Sequence, residues 1–549
     1  MSVRRTLRVG WLAPTVLFCA PLLAALWWGV AGSSDAAAWR MLFDDSQFPR
    51  ALGLSLRVGI VSTLIASVLT MVLVTTLHGG AAWRRLQASA GAMLALPHVA
   101  FAIGLALLVM PSGAVVRVLA VLTGWSSPPD VATVQDPAGM ALTAALVLKE
   151  VPFLVWSVAA LLQRAGHADD IARQVQIAAT MGYSRRSAWA RIVWPQLLPR
   201  LALPLLAVWG YGVTVVDMAL VLGPTQPPTL AMLAWQWLLD ANAAVNAQGA
   251  AAALALAVCV AAGAALAAGT LHVARPWLVR CWTRGDRPAD RAGATWPWHR
   301  LLQATYVGAG AMLVVVSFAG LWTFPDVWPR EWTLDAWRSA LGSGATLART
   351  LLLALLSAAT GLGLAVAWLE TTPARWDASA APMVFAPMLI PGVLLVSGLY
   401  QLTLRIGLDG RLDGVWLAHS IYAAPYVLVA LAPAYRGFDP RYEQTSHALG
   451  HGRMSTLWRV KWPMLAAALA AAFAVGFAVS VAQYLSTQFV GAGRHATVTT
   501  EALTLASGGQ RGVAAAFALL QALLPAMMFL AASWFGQRRA DRSTSSTQP

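Results

Sequence analysis

The stretch Gln176-Ile177-Ala178-Ala179-Thr180-Met181-Gly182, followed by Ile192 and Pro195, returns in skeleton as Gln444-Thr445-Ser446-His447-Ala448-Leu449-Gly450, followed by Val460 and Pro463. In each copy an aliphatic residue stands ten positions after the glycine and a proline thirteen positions after it. The two glycines lie 268 residues apart (450 − 182), close to half of the 549-residue chain. Each copy is a polar, arginine-bearing loop inside an otherwise apolar sequence. The chain therefore reads as a duplicated unit with one such loop per copy.

Composition restricts what that unit is. With 58% hydrophobic and 11% charged residues and a mean hydropathy of +0.63, the chain is not a soluble domain. It reads as an all-α, polytopic membrane protein. A spanning helix needs roughly 20 mostly apolar residues. Runs of that kind fall at about 11–31, 53–77, 89–111, 139–163, 201–222 and 250–274, then again at about 301–323, 347–370, 380–403, 415–435, 465–488 and 513–535. This predicts about twelve transmembrane helices in two six-helix repeats, 1–275 and 301–536, with a basic linker at 276–300 and a tail at 537–549. Six is even, so the repeats run parallel across the bilayer.

The formal net charge of +15 follows this topology and does not call for nucleic acid. Arg4, Arg5 and Arg8 precede the first run, Arg84 and Arg85 separate the second and third, and Arg173, Arg185, Arg186 and Arg191 separate the fourth and fifth. Arg275, Arg280, Arg284, Arg287, Arg291 and Arg300 crowd the linker, and Arg538 and Arg539 the tail, whereas 223–249 contains no arginine. The positive-inside rule makes the arginine-bearing segments and both termini cytoplasmic. The basic start and the small residues Ala31-Gly32-Ser33 also fit a cleaved signal peptide, but the counterpart of the first run lies mid-chain. Three dispersed cysteines, Cys19, Cys259 and Cys281, offer neither a disulfide framework nor metal-ligand spacing.

The repeat extends beyond the loops. Leu96-Pro97-His98-Val99 leading to Gly104 matches Ile390-Pro391-Gly392-Val393 leading to Gly398, with seven residues from proline to glycine in both, and Pro152-Phe153 matches Pro425-Tyr426. The offset falls along the chain because the first half carries insertions, chiefly the external segment at 112–138 with Trp125 and the turn Ser127-Pro128-Pro129-Asp130.

The paired loops resemble the EAA motif of ABC-importer permeases, written Glu-Ala-Ala, three residues, Gly, nine residues, Ile, one residue, Leu-Pro. Gly182, Ile192, Pro195, Gly450 and Pro463 match it, and Val460 stands in for Ile. Gln176 and Gln444 replace the Glu, and Ile177-Ala178 and Thr445-Ser446 replace the Ala pair. The whole chain is similar to the fused, twelve-span permeases of the thiamine, ferric-iron and related type I importers. That resemblance implies two short cytoplasmic helices hinged at Gly182 and Gly450, with Gln176, Arg185 and Arg186, and Gln444, Arg453 and Arg459, facing the groove of an ATPase subunit. It further implies two copies of that ATPase, a periplasmic substrate-binding protein, the bacterial inner membrane, and one solute path between the halves.

ATP is expected on the partner, with no cofactor in this chain. A phosphate-binding loop needs Gly-Lys-Ser/Thr, and the only two lysines are followed by Glu150 and Trp462. Charges inside spans mark a wet path or a packing pair. Lys149, Glu150 and Asp217 are such charges. Thr214-Val215-Val216-Asp217 parallels Ser480-Val481-Ala482-Gln483, which makes Lys149, Glu150, Asp217 and Gln483 candidates for the translocation path. An interhelical pair between Asp217 and Lys149 is the alternative. The 26 tryptophans read as interface anchors, and the isolated His98 and His419 as packing residues. A secondary transporter with two six-helix halves explains the spans but not the paired loops, and an embedded enzyme lacks any HExxH, GxSxG or clustered acid and histidine set. The sequence does not name the solute.

Overall fold

The structure, a computed structural model, describes residues 12–163, 167–286 and 297–545. The described chain is almost wholly helical, and its only extended pairing there is an isolated bridge between Ala319 and Trp332. Helix α1 spans Leu12–Ala31 and α2 Phe48–Leu77, followed by α3 (Ala81–Ala95), α4 (His98–Val109), α5 (Ala114–Thr123) and α6 (Met140–Leu162). Then α7 (His167–Thr180) leads through the first polar loop to α8 (Ala202–Thr214), α9 (Asp217–Leu222), α10 (Leu230–Leu238) and α11 (Ala243–Thr283). The series restarts with α12 (Trp298–Phe318), α13 (Gly344–Thr371), α14 (Asp377–Leu389), α15 (Gly392–Arg405) and α16 (Leu412–Arg436). It closes with α17 (Pro440–Ala448), α18 (Ala466–Val481), α19 (Leu485–Val490), α20 (Val498–Ser507) and α21 (Arg511–Ser545).

Among the described residues nine helices are long and apolar enough to cross a membrane, or eleven if each of two bent pairs is one span. A shorter apolar helix, Cys19–Ala31, occupies the place of the first expected run. The third and fifth runs of each half are not single helices. Leu96 and Ile390 are extended (ψ 117° and 139°) because a following proline crowds the helical conformation of the residue before it, and Pro97 and Pro391 then start α4 and α15 afresh. In the fifth run the chain opens at Val215-Val216 and again at 482–484. Helices α5, α10 and α20 lie in segments expected to be loops, and α11 continues to Thr283, so the linker begins as helix. Arg4, Arg5, Arg8, Arg287, Arg291 and the last four residues lie outside the described residues.

Packing is not colinear with the repeat. One compact unit is Asp35–Thr333, and the other joins Met1–Ser34 to Leu334–Pro549. Each unit thus takes its opening helix from the other half of the sequence. In the first unit α12 packs on α4, and in the second α1 packs on α15. The glycine seven residues after each Pro makes this possible. A Cβ on Gly104 would stand 2.6 Å from the Ala309 carbonyl oxygen, and one on Gly398 would overlap the carbonyl of Ala25. Small residues let helix backbones approach this closely where there is no hydrophobic drive between helices.

Candidate functional site

The two polar loops are built alike. Helix α7 is stopped by Gly182, at φ +83°, whose amide donates to the Ala179 carbonyl at 3.0 Å while the amide of Tyr183 donates to that of Ala178 at 3.0 Å. Gly450 also has φ +83°, with its amide on His447 O at 3.0 Å and the next amide, of His451, on Ser446 O at 3.1 Å. A left-handed residue closing a helix in this way is glycine's usual place. A one-turn helix follows, Arg185–Ala188 or Arg453–Thr456, then a single π turn, Trp189–Val193 or Leu457–Lys461. Pro195 and Pro463 come two residues later. A proline cannot donate to the preceding turn and crowds it, and the wider turn, in which Trp194 N–H reaches Trp189 O, lets the chain pass it.

Gln176, Gln444, Arg186 and Arg459 are exposed, and Ile192, Val460, Pro195 and Pro463 are partly buried. Ala178 is buried, as is its counterpart Ser446, whose hydroxyl meets Thr456 Oγ1 at 2.8 Å and ties the two short helices together. Arg185 and Arg453, expected to face a partner, are exposed and also bond to their own bundles. Arg185 donates to Thr75 O at 2.9 Å and His78 O at 2.5 Å, at the end of α2. Arg453 donates to Glu370 O at 2.7 Å and pairs with its carboxylate at 3.3 Å, at the end of α13. Cations complement the exposed carbonyls of a helix C-terminus, so both loops are clamped at one point.

The clamps differ in charge. In the first loop Trp194 Nε1 donates to Thr75 Oγ1 at 2.9 Å. In the second, Trp462 Nε1 donates to Tyr435 OH at 3.0 Å, and that hydroxyl donates to Glu370 Oε1 at 2.6 Å. Lys461 bridges Glu370 at 2.7 Å and Glu443 at 2.8 Å. Glu443 corresponds to Val175 at the 268-residue offset. Thr75, Glu370, Tyr435 and Glu443 were not expected in these roles. The one legible signal was Lys461, one of only two lysines in the chain.

The intramembrane charges lie in the first unit. Lys149 and Glu150 are both buried on α6. The alternative, an ion pair between Lys149 and Asp217, does not form. Lys149 instead donates to Leu96 O at 2.7 Å and Met93 O at 3.3 Å, and its ammonium lies 5.7 Å from the ring centre of Phe101 and 5.8 Å from that of Tyr306. These are the carbonyls that the break at Pro97 leaves without helical donors, so Lys149 satisfies the fracture in the third run. Asp217 opens α9, accepting from Met218 N at 2.9 Å and Tyr211 OH at 3.1 Å. Glu150 has no hydrogen-bond partner among the described residues. Gln483 accepts from Ser486 Oγ at 2.8 Å. At the 268-residue offset Asp217 corresponds to Leu485 and Gln483 to Val215, so the two candidates flank the same break two residues out of register. The His98 ring lies 4.9 Å from that of Tyr211, tilted by 56°, and His419 bonds Ser480 at 2.8 Å and Thr487 at 2.9 Å, both within helix packing.

If the buried Glu150 and the helix-opening Asp217 serve transport, Glu150→Ala and Asp217→Ala should lower solute uptake severalfold at unchanged membrane levels. Uptake per inserted molecule, set against immunoblotted membranes, measures this. Normal uptake by both would leave them as packing residues.

A polytopic, all-α bundle with a matched loop in each half is the architecture of a membrane transport subunit, and the comparisons make the class definite. The chain belongs to the ABC transporter permeases: it is 33% identical over 542 residues, 96% of this chain and 97% of the other, to the inner membrane ABC transporter permease protein YnjC of Escherichia coli. Shorter stretches match a probable molybdenum ABC transporter permease of Haloferax volcanii, at 33% identity over 20% of this chain and 44% of that one. A probable ABC transporter permease of Sinorhizobium fredii matches at 25% identity over 35% of this chain and 36% of that one. No family model matches the chain.

Proposed function

We propose that this permease subunit serves an ATP-driven importer and couples to a separate ATPase through its two loops. The observation that carries the reading is the repeated turn: Gly182 and Gly450 share φ +83° and the same pair of amide bonds, 268 residues apart. The exposed side chains around these turns, among them Gln176 and Met181 in one loop and Gln444, Leu449 and Arg459 in the other, form the two docking faces. Two copies of the ATPase subunit dock there and bind the ATP. A periplasmic binding protein delivers the solute, and the subunit passes it by alternating access across the bacterial inner membrane, with both termini cytoplasmic.

Reconstitution tests this. Uptake should require the ATPase and ATP and should survive a protonophore. Uptake driven by an ion gradient without the ATPase would favour a secondary transporter. The topology is checked at Cys281, which is partly buried near the end of α11. With Cys19 and Cys259 removed, a membrane-impermeant thiol reagent should label it only after the cells are opened. Labelling of intact cells would reverse the orientation.

A further inference from the structure

A cleft of about 830 Å³ opens in the first unit beside the first loop, between the last turns of α2, the loop's π turn and the start of α12. Its polar rim carries Arg186, His299 and Arg300, and among the described residues no acidic one lines it. Its wall is apolar, formed by Met71, Val72 and Leu73 of α2 with the indole of Trp194. Val72 is exposed, so the wall continues onto the open surface of α2. The cleft sits where α2 ends and α12 begins, at the ends of two helices long and apolar enough to cross a membrane, with Trp298 at its edge, as interfacial tryptophans commonly are.

The second loop shows what the first lacks. There the basic side chains Arg453 and Lys461 are met by the carboxylates of Glu370 and Glu443. At the first loop those places are held by Thr75 and Val175, Lys461 gives way to Val193, and the cleft's Arg186 stands where the second loop has Met454. Positive charge gathered at an interface, above an apolar wall and without an acid in the cleft, fits an amphiphile with an anionic head.

We propose that this cleft binds an anionic phospholipid, with its phosphodiester held by Arg186, His299 and Arg300 and an acyl chain laid along Met71, Val72 and Leu73. Basic pockets between spanning helices on the cytoplasmic side recognise such headgroups. The lipid would rest against the π turn of the first loop and have no equivalent in the second, giving the two otherwise matched loops different surroundings.

The test is native mass spectrometry of the full-length protein released from vesicles of equal parts phosphatidylglycerol and phosphatidylethanolamine. The wild type should retain phosphatidylglycerol preferentially. Each basic residue near an anionic lipid is worth about fivefold. His299→Ala with Arg300→Ala, which leaves the loop untouched, should lower that preference at least fivefold, and adding Arg186→Ala should lower it further. Arg186→Lys with Arg300→Lys should keep most of it, and Arg459→Ala, on the other loop, should leave the preference for phosphatidylglycerol at its wild-type level, whatever it does to ATPase docking. Undiminished retention by the triple variant would overturn the assignment, as would an equal loss in Arg459→Ala. If inorganic phosphate displaces the lipid and binds with no acyl-chain requirement, the cleft is a phosphate site and the lipid is excluded. Should the triple variant fail to insert, Arg300→Ala alone, at an exposed position, must still show the loss.

Discussion

Replacing both loop glycines, Gly182→Val with Gly450→Val, is expected to abolish ATP-driven uptake while leaving the spans in the membrane. At φ +83° an L-residue pays about 1–2 kcal/mol, and a β-branched one is a clear outlier there. The cost is conformational: nothing lies within 4 Å of a Cβ at Gly450, so the valine would not collide with a neighbour. The turn would instead relax toward negative φ and swing the preceding helix, α7 or α17, away from the short helix that follows. The ATPase should then co-purify poorly or hydrolyse ATP without solute movement. The single variants should differ. The second loop is clamped by Glu370, Lys461 and Glu443 and cannot shift to relieve the strain, so Gly450→Val should be the more damaging. Stoichiometric ATPase binding and normal uptake by the double variant would remove the docking role from these loops.

These turns were legible because a polar, arginine-bearing segment repeated inside an apolar chain has few explanations, and glycine at a helix end has one main conformational use. The Pro-to-Gly spacing of the third runs was equally visible, but its consequence was not. Repetition in sequence says that Gly104 and Gly398 are equivalent; it does not say which copy of the opening helix each meets, and the structure crosses them. The resemblance places Arg185 and Arg453 toward a partner, and both are exposed; what no local pattern records is that they also hold carbonyls of helix ends more than 80 residues away in sequence, at Thr75, His78 and Glu370. Lys149 escaped for the same reason. Its acceptors are the backbone oxygens of Met93 and Leu96, and no side-chain pattern records a backbone acceptor. The register of Asp217 against Gln483 failed because helix breaks of different length, 215–216 and 482–484, shift the alignment within a run.

The crossing of the opening helices gives the other large expected effect. On α1, Ala25 and Gly29 stand one turn apart and face α15: a Cβ on Gly29 would lie 2.9 Å from Leu394 O, and one on Gly398 would occupy the space of the Ala25 carbonyl. Overpacking a core with flexible neighbours typically costs 1–3 kcal/mol. Here the obstacle is backbone on a packed helix and cannot rotate away, so Gly398→Val should cost at least the upper end of that range and release α1 from its unit. Thermal unfolding in detergent should then fall by several degrees and the yield of monodisperse protein should drop severalfold. Gly53→Val, on α2 with nothing within 4 Å of its added Cβ, should behave as wild type and control for putting a β-branched residue into a spanning helix. Gly104→Val meets the Ala309 carbonyl at 2.6 Å, a milder overlap, and should fall between the two. Because α1 comes from the other sequence repeat, its release should also separate packing from duplication. A chain carrying Gly398→Val should keep α12 on α4 while α1 becomes accessible to protease. If Gly398→Val instead melts with the wild type and protects α1, the opening helix does not pack on α15 and the exchange between the two halves is not part of the native fold.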